Sequence, residues 1–331
     1  MNEPRQVSII SDEAAQAVAS TGLARSAVAD AFVKVCRGEA ELFPVAAGSG
    51  QIPGSAVATK SGRSAQDVGV KVGTYWPGNE AVWGIPNHGA TTILLCPDTG
   101  LVSSVLNVSS LNCLRTAAAD AVAVDTLARQ DATSLAVIGT GHQALFDVQA
   151  ILEVRPISNI RLWNRSSHRA QRFAAELAEV TDAELEVVDG SPDDASRPAD
   201  IIVTATATTQ PLLSAGGVKA GAHISAMGAD SVGKQELSTD ILRCPGVRCF
   251  ADYPAQSIEI GELQHGVNEG LLSIDDITAL GLVIDGRARG RTADSDITVF
   301  DSSGIAIQDI EVAHRVAEAA VRAGLDTKVP F

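Results

Sequence analysis

The hexapeptide Gly139-Thr140-Gly141-His142-Gln143-Ala144 has the residue types and spacing of a phosphate cradle. A glycine at its first position permits a tight turn. One at the third lets backbone approach a pyrophosphate, and small Ala144 allows a helix to pack closely on a strand. The plain alternative is a βα turn with no ligand. Context favours the cradle: residues 135–138 form a short apolar run rich in β-branched side chains, which suits a strand buried on both faces. Behind the turn, Leu145, Val148, Ile151 and Leu152 recur at helical spacing. Such a helix start presents free N–H groups and a positive dipole end to phosphates. Thr140, His142 and Gln143 are therefore candidate cofactor contacts beside the two glycines.

Further positions carry chemistry. In sheets that bind NAD, an acid about 20 residues past the glycines bonds the ribose 2′-hydroxyl. Here that place reads Asn164-Arg165-Ser166, without an acid. An arginine among hydroxyl and amide groups can hold a 2′-phosphate, which favours NADP(H) over NAD(H). The alternative is that Arg165 stacks on adenine with either cofactor. Thr206 and Met227 stand at the ends of the next strand-like runs and join Arg115 as candidate cofactor contacts. Asp230 follows just beyond, at the carboxyl end of a strand, where open α/β sheets place ligands. Its plain alternative is an ion pair with Lys234. Lys71 sits on an alternating segment, Gly69-Val70-Lys71-Val72-Gly73, with Val70 and Val72 on the other face. Flanking glycines would leave the open space that a ligand needs; a solvated strand lysine is the commoner case. Arg115 lies within the first two turns of a helix, where the dipole disfavours a cation, so its place hints at a task. His88 and His265 are further candidate substrate-binding residues, though a lone histidine is more often structural.

The elements that must position these residues differ along the chain. Ser11 with Asp12 and Glu13 reads as a helix start, and a second helix is expected over residues 24–36, stopped by Gly38. Residues 69–73, 91–96 and 101–106 read as strands, the last two joined through Pro97-Asp98-Thr99-Gly100. Ser109 or Ser110 should cap a long helix reaching Leu127. From Ser134 onward strands and helices alternate, the mark of a parallel sheet. Residues 258–268 and 274–280 look helical, and a final helix over 308–323 should pack back on the first domain. The expected architecture is α/β: a Rossmann-type doubly wound parallel sheet domain over residues 116–309, and a smaller α+β substrate and dimerisation domain over 1–115 plus a C-terminal helix at about 310–331.

Length and composition bound the rest. The chain of 331 residues is 45% hydrophobic and carries a formal net charge of −15, which argues against nucleic acid and against an anionic membrane surface. No run of 18 apolar residues occurs. The cysteines at positions 36, 96, 113, 244 and 249 are odd in number and lack zinc-ligand spacing, so free thiols in a reducing cytoplasm are expected and no metal is.

Several blocks together resemble the ornithine cyclodeaminase/mu-crystallin family over nearly the whole chain. They are residues 69–73, 111–119 (L-N-C-L-R-T-A-A-A), the G-T-G-H-Q-A turn, 227–237 (M-G-A-D-S-V-G-K-Q-E-L) and 301–309 (D-S-S-G-I-A-I-Q-D). The resemblance implies an NAD(P)-dependent enzyme, usually a homodimer, that reduces small imino acids or oxidises the matching amino acids. It implies that Lys71 and Arg115 hold the substrate α-carboxylate, with Lys71 also a candidate catalytic group, and that Asp230 is the acid/base near the reacting nitrogen. The substrate implied first is iminosuccinate, reduced to L-aspartate. Alternatives are a cyclic ketimine such as pyrroline-2-carboxylate, alanine-dehydrogenase-like chemistry, ornithine cyclodeamination, and a non-catalytic NADPH-binding role. One departure stands out: an arginine common in the family after the segment matching Phe43-Pro44-Val45 is absent, and the chain reads Ala46-Ala47-Gly48. Lys60, Arg63, His88 or His265 would have to substitute.

Overall fold

A computed structural model describes residues 6–331. Contacts divide the chain after Arg115 and again at Ile305, so that Thr116–Gly304 forms one compact unit and the flanking segments form the other.

The first unit contains β1 (Gln6–Ile10), α1 (Asp12–Val18), α2 (Thr21–Arg37), β2 (Glu41–Leu42), β3 (Ala46–Gly48), β4 (Ala56–Arg63), β5 (Val68–Tyr75), α3 (Asn79–Trp83), β6 (His88–Leu95) and β7 (Val102–Asn107). Ser11 caps α1 by accepting from the Ala14 N–H at 3.2 Å. Ser20 caps α2 in the same way, so that helix begins three residues before the expected Ala24. It stops where Gly38 takes φ +72°, a conformation that costs glycine nothing. The helix α4 (Leu111–Leu127) follows; just before it Ser110 donates its hydroxyl to Asp12 at 2.8 Å, and Ser109 donates to Asn107.

The second unit contains β8 (Ser134–Ile138), α5 (His142–Leu152), β9 (Asn159–Trp163), α6 (Ser167–Leu177), β10 (Glu184–Val187), α7 (Pro192–Ser196), β11 (Ile201–Thr204), β12 (His223–Ala226), β13 (Val247–Ala251), α8 (Pro254–Ile260), α9 (Gln264–Asn268), β14 (Ile277–Ala279), α10 (Leu280–Ile284) and β15 (Ile297–Asp301). Its sheet runs β10-β9-β8-β11-β12-β15-β13-β14, and every pair is parallel. β11, β12 and β15 are buried along their whole length, as strands covered on both faces must be. The order reverses between β8 and β11, the switch point outside which such sheets bind ligands. Two helical expectations fail here. Residues 258–268 break into α8 and α9 at Gly261, where any side chain would collide with the Asp301 carboxylate. Residues 274–280 are a 3-10 turn followed by β14, which gains ladder bonds from β13 that a local pattern does not reveal.

The chain then returns to the first unit as α11 (Ala306–Ala323) and β16 (Thr327–Pro330). That unit's sheet runs β16-β1-β7-β6-β5-β4-β2, with β3 also paired to β4. Strands β4 to β7 are antiparallel neighbours, whereas β1 joins β7 in parallel. α11 packs along α2 and across β4, β5 and β6. Gly62 and Gly69 make this approach possible: a Cβ there would lie 2.8 Å from Ile307 and 2.9 Å from Ile310. Gly69 therefore serves helix packing, and only Gly73, with nothing nearer than 3.9 Å, leaves open space beside Lys71.

Candidate active site

In the first unit the sheet places Lys71 on its buried face, and its side chain ends in a polar cluster under α11. Lys71 Nζ donates to Asn112 Oδ1 at 2.6 Å and to Asp309 Oδ1 at 2.8 Å. Arg115 Nη2 donates to the same Asn112 oxygen at 3.1 Å, and its Nε lies 3.0 Å from Asp309 Oδ1. Asp309 stands in the first turn of α11, where the helix dipole favours an acid. Burial works to raise its carboxyl, but the charges of Arg115, Lys71 and Lys60 outweigh that and hold it below the usual range. Burial also drives Lys71 down to about 8, against the pull of Asp309. A cavity beside the cluster is lined by Lys71, Thr92, Asn112, Arg115 and Asp309 together with apolar neighbours. Three buried polar atoms of that lining, Thr92 Oγ1, Arg115 Nε and Asp309 Oδ2, have no hydrogen-bond partner among the described residues. The Thr92 hydroxyl and the N–H donors of Lys71 and Arg115 on one lining describe a place where an anion with two oxygens can be received. Asn112 and Asp309 were not assigned roles from sequence, although both lie inside blocks that carried the resemblance.

In the second unit the glycine turn connects β8 to α5. Gly139 takes φ +100°, and a side chain on it would meet Thr206 at 2.5 Å and the Ala205 carbonyl at 2.8 Å. Gly141 has nothing within 4 Å of a would-be Cβ, and it precedes α5 without a side-chain cap. Open space before uncapped N–H groups fits a dinucleotide's phosphates. Asn164 donates to Thr140 Oγ1 at 2.9 Å, fixing the tip of β9 to the turn, while Arg165 beside it is exposed. His142 lies edge-on to Phe146, and Gln143 donates to Asp147 at 2.7 Å.

Glu236, which had no assigned role, holds the neighbouring loops. It accepts from Thr204 Oγ1 at 2.8 Å, from Thr206 N and Oγ1 at 2.7 Å each, and from Gly228 N at 2.8 Å. The Thr206 hydroxyl is thus committed to Glu236, and its candidate contact with a cofactor is left to its methyl and backbone. Met227 is buried, with its N–H on the Thr204 carbonyl. Asp230 forms the ion pair with Lys234 at 2.6 Å that was its plain alternative, with 58% of its side chain exposed. His265 contacts the Lys234 carbonyl at 2.8 Å, so it supports the same loop. His88, exposed at the start of β6, tilts against Tyr75 with ring centroids 4.7 Å apart. Arg63 is taken by Glu41 at 2.7 Å on the exposed face, which removes it as a substitute for the missing arginine.

Known proteins match this chain along almost all its length. The family model described as the ornithine cyclodeaminase/mu-crystallin family covers residues 21–324. The iminosuccinate reductase of Paracoccus denitrificans is 37% identical over 305 residues, covering 92% of this chain and 93% of that protein. The crystal structure of the P. denitrificans enzyme in complex with NAD+ superposes with a TM-score of 0.90 at 34% identity, covering 99% of this chain and 100% of the other. An archaeal alanine dehydrogenase dimer with bound NAD gives a TM-score of 0.91 at 31% identity over 99% and 100% of the two chains. A Delta(1)-pyrroline-2-carboxylate reductase of Bacillus cereus is 36% identical, covering 80% of this chain and 81% of its own. The chain belongs to the ornithine cyclodeaminase/mu-crystallin family.

Proposed function

We propose that this protein is an NAD(P)H-dependent reductase of small imino acids, and that it converts iminosuccinate to L-aspartate. The observation that carries this reading is the buried Lys71–Asn112–Arg115–Asp309 cluster with its unpartnered Thr92 hydroxyl. Arg115 is suited to grip an α-carboxylate through parallel N–H donors, and Lys71 acts as a point charge. The bound nicotinamide supplies the hydride. Reduction also needs a proton on the imine nitrogen, which makes the carbon electrophilic and ends on the product amine. Lys71, with a pKa of about 8, can give up a proton near neutrality. Asp230 is the second candidate for that role, and as a carboxylate it would favour a cationic imine. The names of the similar proteins support imino and amino acids as the substrate class. A homodimer in a reducing cytoplasm completes the reading; a similar alanine dehydrogenase is a dimer, and no disulfide joins the five cysteines among the described residues.

Absorbance of NADH and NADPH tests this when oxaloacetate plus ammonia, pyruvate plus methylamine, and pyrroline-2-carboxylate are offered in turn. Oxidation of cofactor with oxaloacetate plus ammonia is the expected result; no oxidation with any of the three rules the reading out. The cofactor question has its own test. Arg165→Ala should weaken NADPH binding by about tenfold, the value of one charge-assisted contact, and leave NADH unchanged. An unaltered NADPH-to-NADH ratio of dissociation constants would assign Arg165 to adenine stacking instead.

A further inference from the structure

The sheet of the first unit carries a second cation in line with Lys71. Register pairs Lys60 of β4 directly with Lys71 of β5, and Lys71 with Thr92 of β6. Residues directly opposite in antiparallel strands point to the same face, so Lys60, Lys71 and Thr92 form one row on the buried side. The electrostatics agree, since the Lys60 charge acts on both Lys71 and Asp309.

The next row along that face is Ala47, Ala58, Gly73 and Ala90, paired in succession. None of these reaches beyond a Cβ, and the space above Gly73 is open. On the other side of the lysine row, α11 closes the face through Ile307 and Ile310 over Gly62 and Gly69. The lysines therefore border a shallow hollow with a floor of minimal side chains. Lys60, Lys71 and Arg115 all act on the one Asp309 carboxylate, so the positive charge of this face extends from the cluster to the rim of the hollow.

We propose that Lys60 is a substrate-specificity residue that holds a second anionic group of the substrate, a carboxylate one or two carbons beyond the α-carbon, over the floor of Ala58, Gly73 and Ala90. The proposal rests on the imino-acid reductase reading and assigns a residue to the second carboxylate that iminosuccinate carries.

Lys60→Gln keeps the length of the side chain and removes its charge. With oxaloacetate plus ammonia, KM should rise about 10–100-fold, the value of a hydrogen bond between charged groups. With pyrroline-2-carboxylate or pyruvate plus methylamine, which carry one carboxylate, kcat/KM should stay within about threefold. Lys60→Arg should restore most of the discrimination, and succinate should inhibit the native enzyme far better than propionate but lose that advantage in K60Q. Equal losses on one- and two-carboxylate substrates, or no loss, would overturn the assignment while leaving the reductase reading intact. So would native enzyme that turns over only the one-carboxylate imines. Native enzyme inert toward every imine overturns the reductase reading, and the Lys60 assignment with it.

Discussion

Lys71→Met should lower kcat/KM for imine reduction by about 10²–10⁴-fold, the range of a lost general acid, while affinity for the dinucleotide stays within about threefold. Lys71 is 7% exposed, so the loss is not buffered by solvent taking its place. In the roles proposed for it, the protonated form both attracts a carboxylate and donates a proton. Burial brings that form's pKa from 10.5 to about 8, so activity should be full below that pH and fall as pH rises through it. Lys71→Arg separates the two duties. An arginine keeps the charge but does not deprotonate in this range, so the limb near pH 8 should vanish while kcat falls more than KM rises. Asp230→Asn is the contrasting variant: if Asp230 is the proton donor, it should cut kcat by about 10²-fold or more while K71R keeps most of its kcat. Removing Lys71 also deprives buried Asp309 of one of its ion-pair partners, which threatens folding. Asp309→Asn in the same background removes the carboxylate that would be left under-neutralised. A K71M/D309N protein with native melting and native turnover would exclude Lys71 from the chemistry.

How far the sequence discloses this site depends on how local each signal is. The β8–turn–α5 segment is legible because strand, glycines and helix are consecutive, and φ +100° at Gly139 is a requirement that the residue type announces. Lys71 is legible in its alternation, but the sense of its flanking glycines is not. Gly69 reads as space for a ligand until Ile310, from the far end of the chain, is seen packed against it. Asp309 and Asn112 carry no mark of partnership with Lys71, because their neighbourhood is made by helix placement on a sheet. The same holds for Glu236, whose four accepted hydrogen bonds come from loops that only the parallel sheet brings together. Asp230 shows the converse: an acid four residues from a lysine advertises an ion pair, and that pair is present. Strands β1, β14 and β16 are short and gain their definition from neighbours, so periodicity over a few residues does not reveal them.

Measured against wild type, the stability of Asp120→Asn should rise by about 3 kcal/mol between pH 5 and pH 8. Asp120 of α4 and Asp147 of α5 are both fully buried in the second unit. Gln143 donates to one Asp147 oxygen, while the other and both Asp120 oxygens lack hydrogen bonds of normal geometry. The Ser225 hydroxyl beside Asp120 also contacts His223, whose own pKa burial pushes down to about 3, so no cation is on hand there. Desolvation consequently raises Asp120 from 3.8 to about 7, and desolvation together with the Asp120 charge raises Asp147 well above its ordinary value. The sign follows from proton binding. Between 3.8 and about 7 the folded chain keeps the Asp120 proton and the unfolded chain has lost it, so the contribution of Asp120 to wild-type stability falls as pH rises and levels off above about 7. Asparagine carries no such proton and lacks this slope. Whatever the amide itself adds or costs in the folded site is the same at every pH and cancels in the comparison. Asp301 titrates in both proteins and cancels, whereas Asp147 is relieved of the Asp120 charge in the variant, which widens the divergence in the same direction. Denaturant midpoints of the two proteins at pH 5, 6, 7 and 8 provide the measurement, and parallel curves would mean that Asp120 is ionised, and tolerated, throughout. Divergence would show that the helix bearing Gln143 rests on a neutral carboxyl pair, a reason for that helix start to loosen in alkaline solution before the rest of the sheet does.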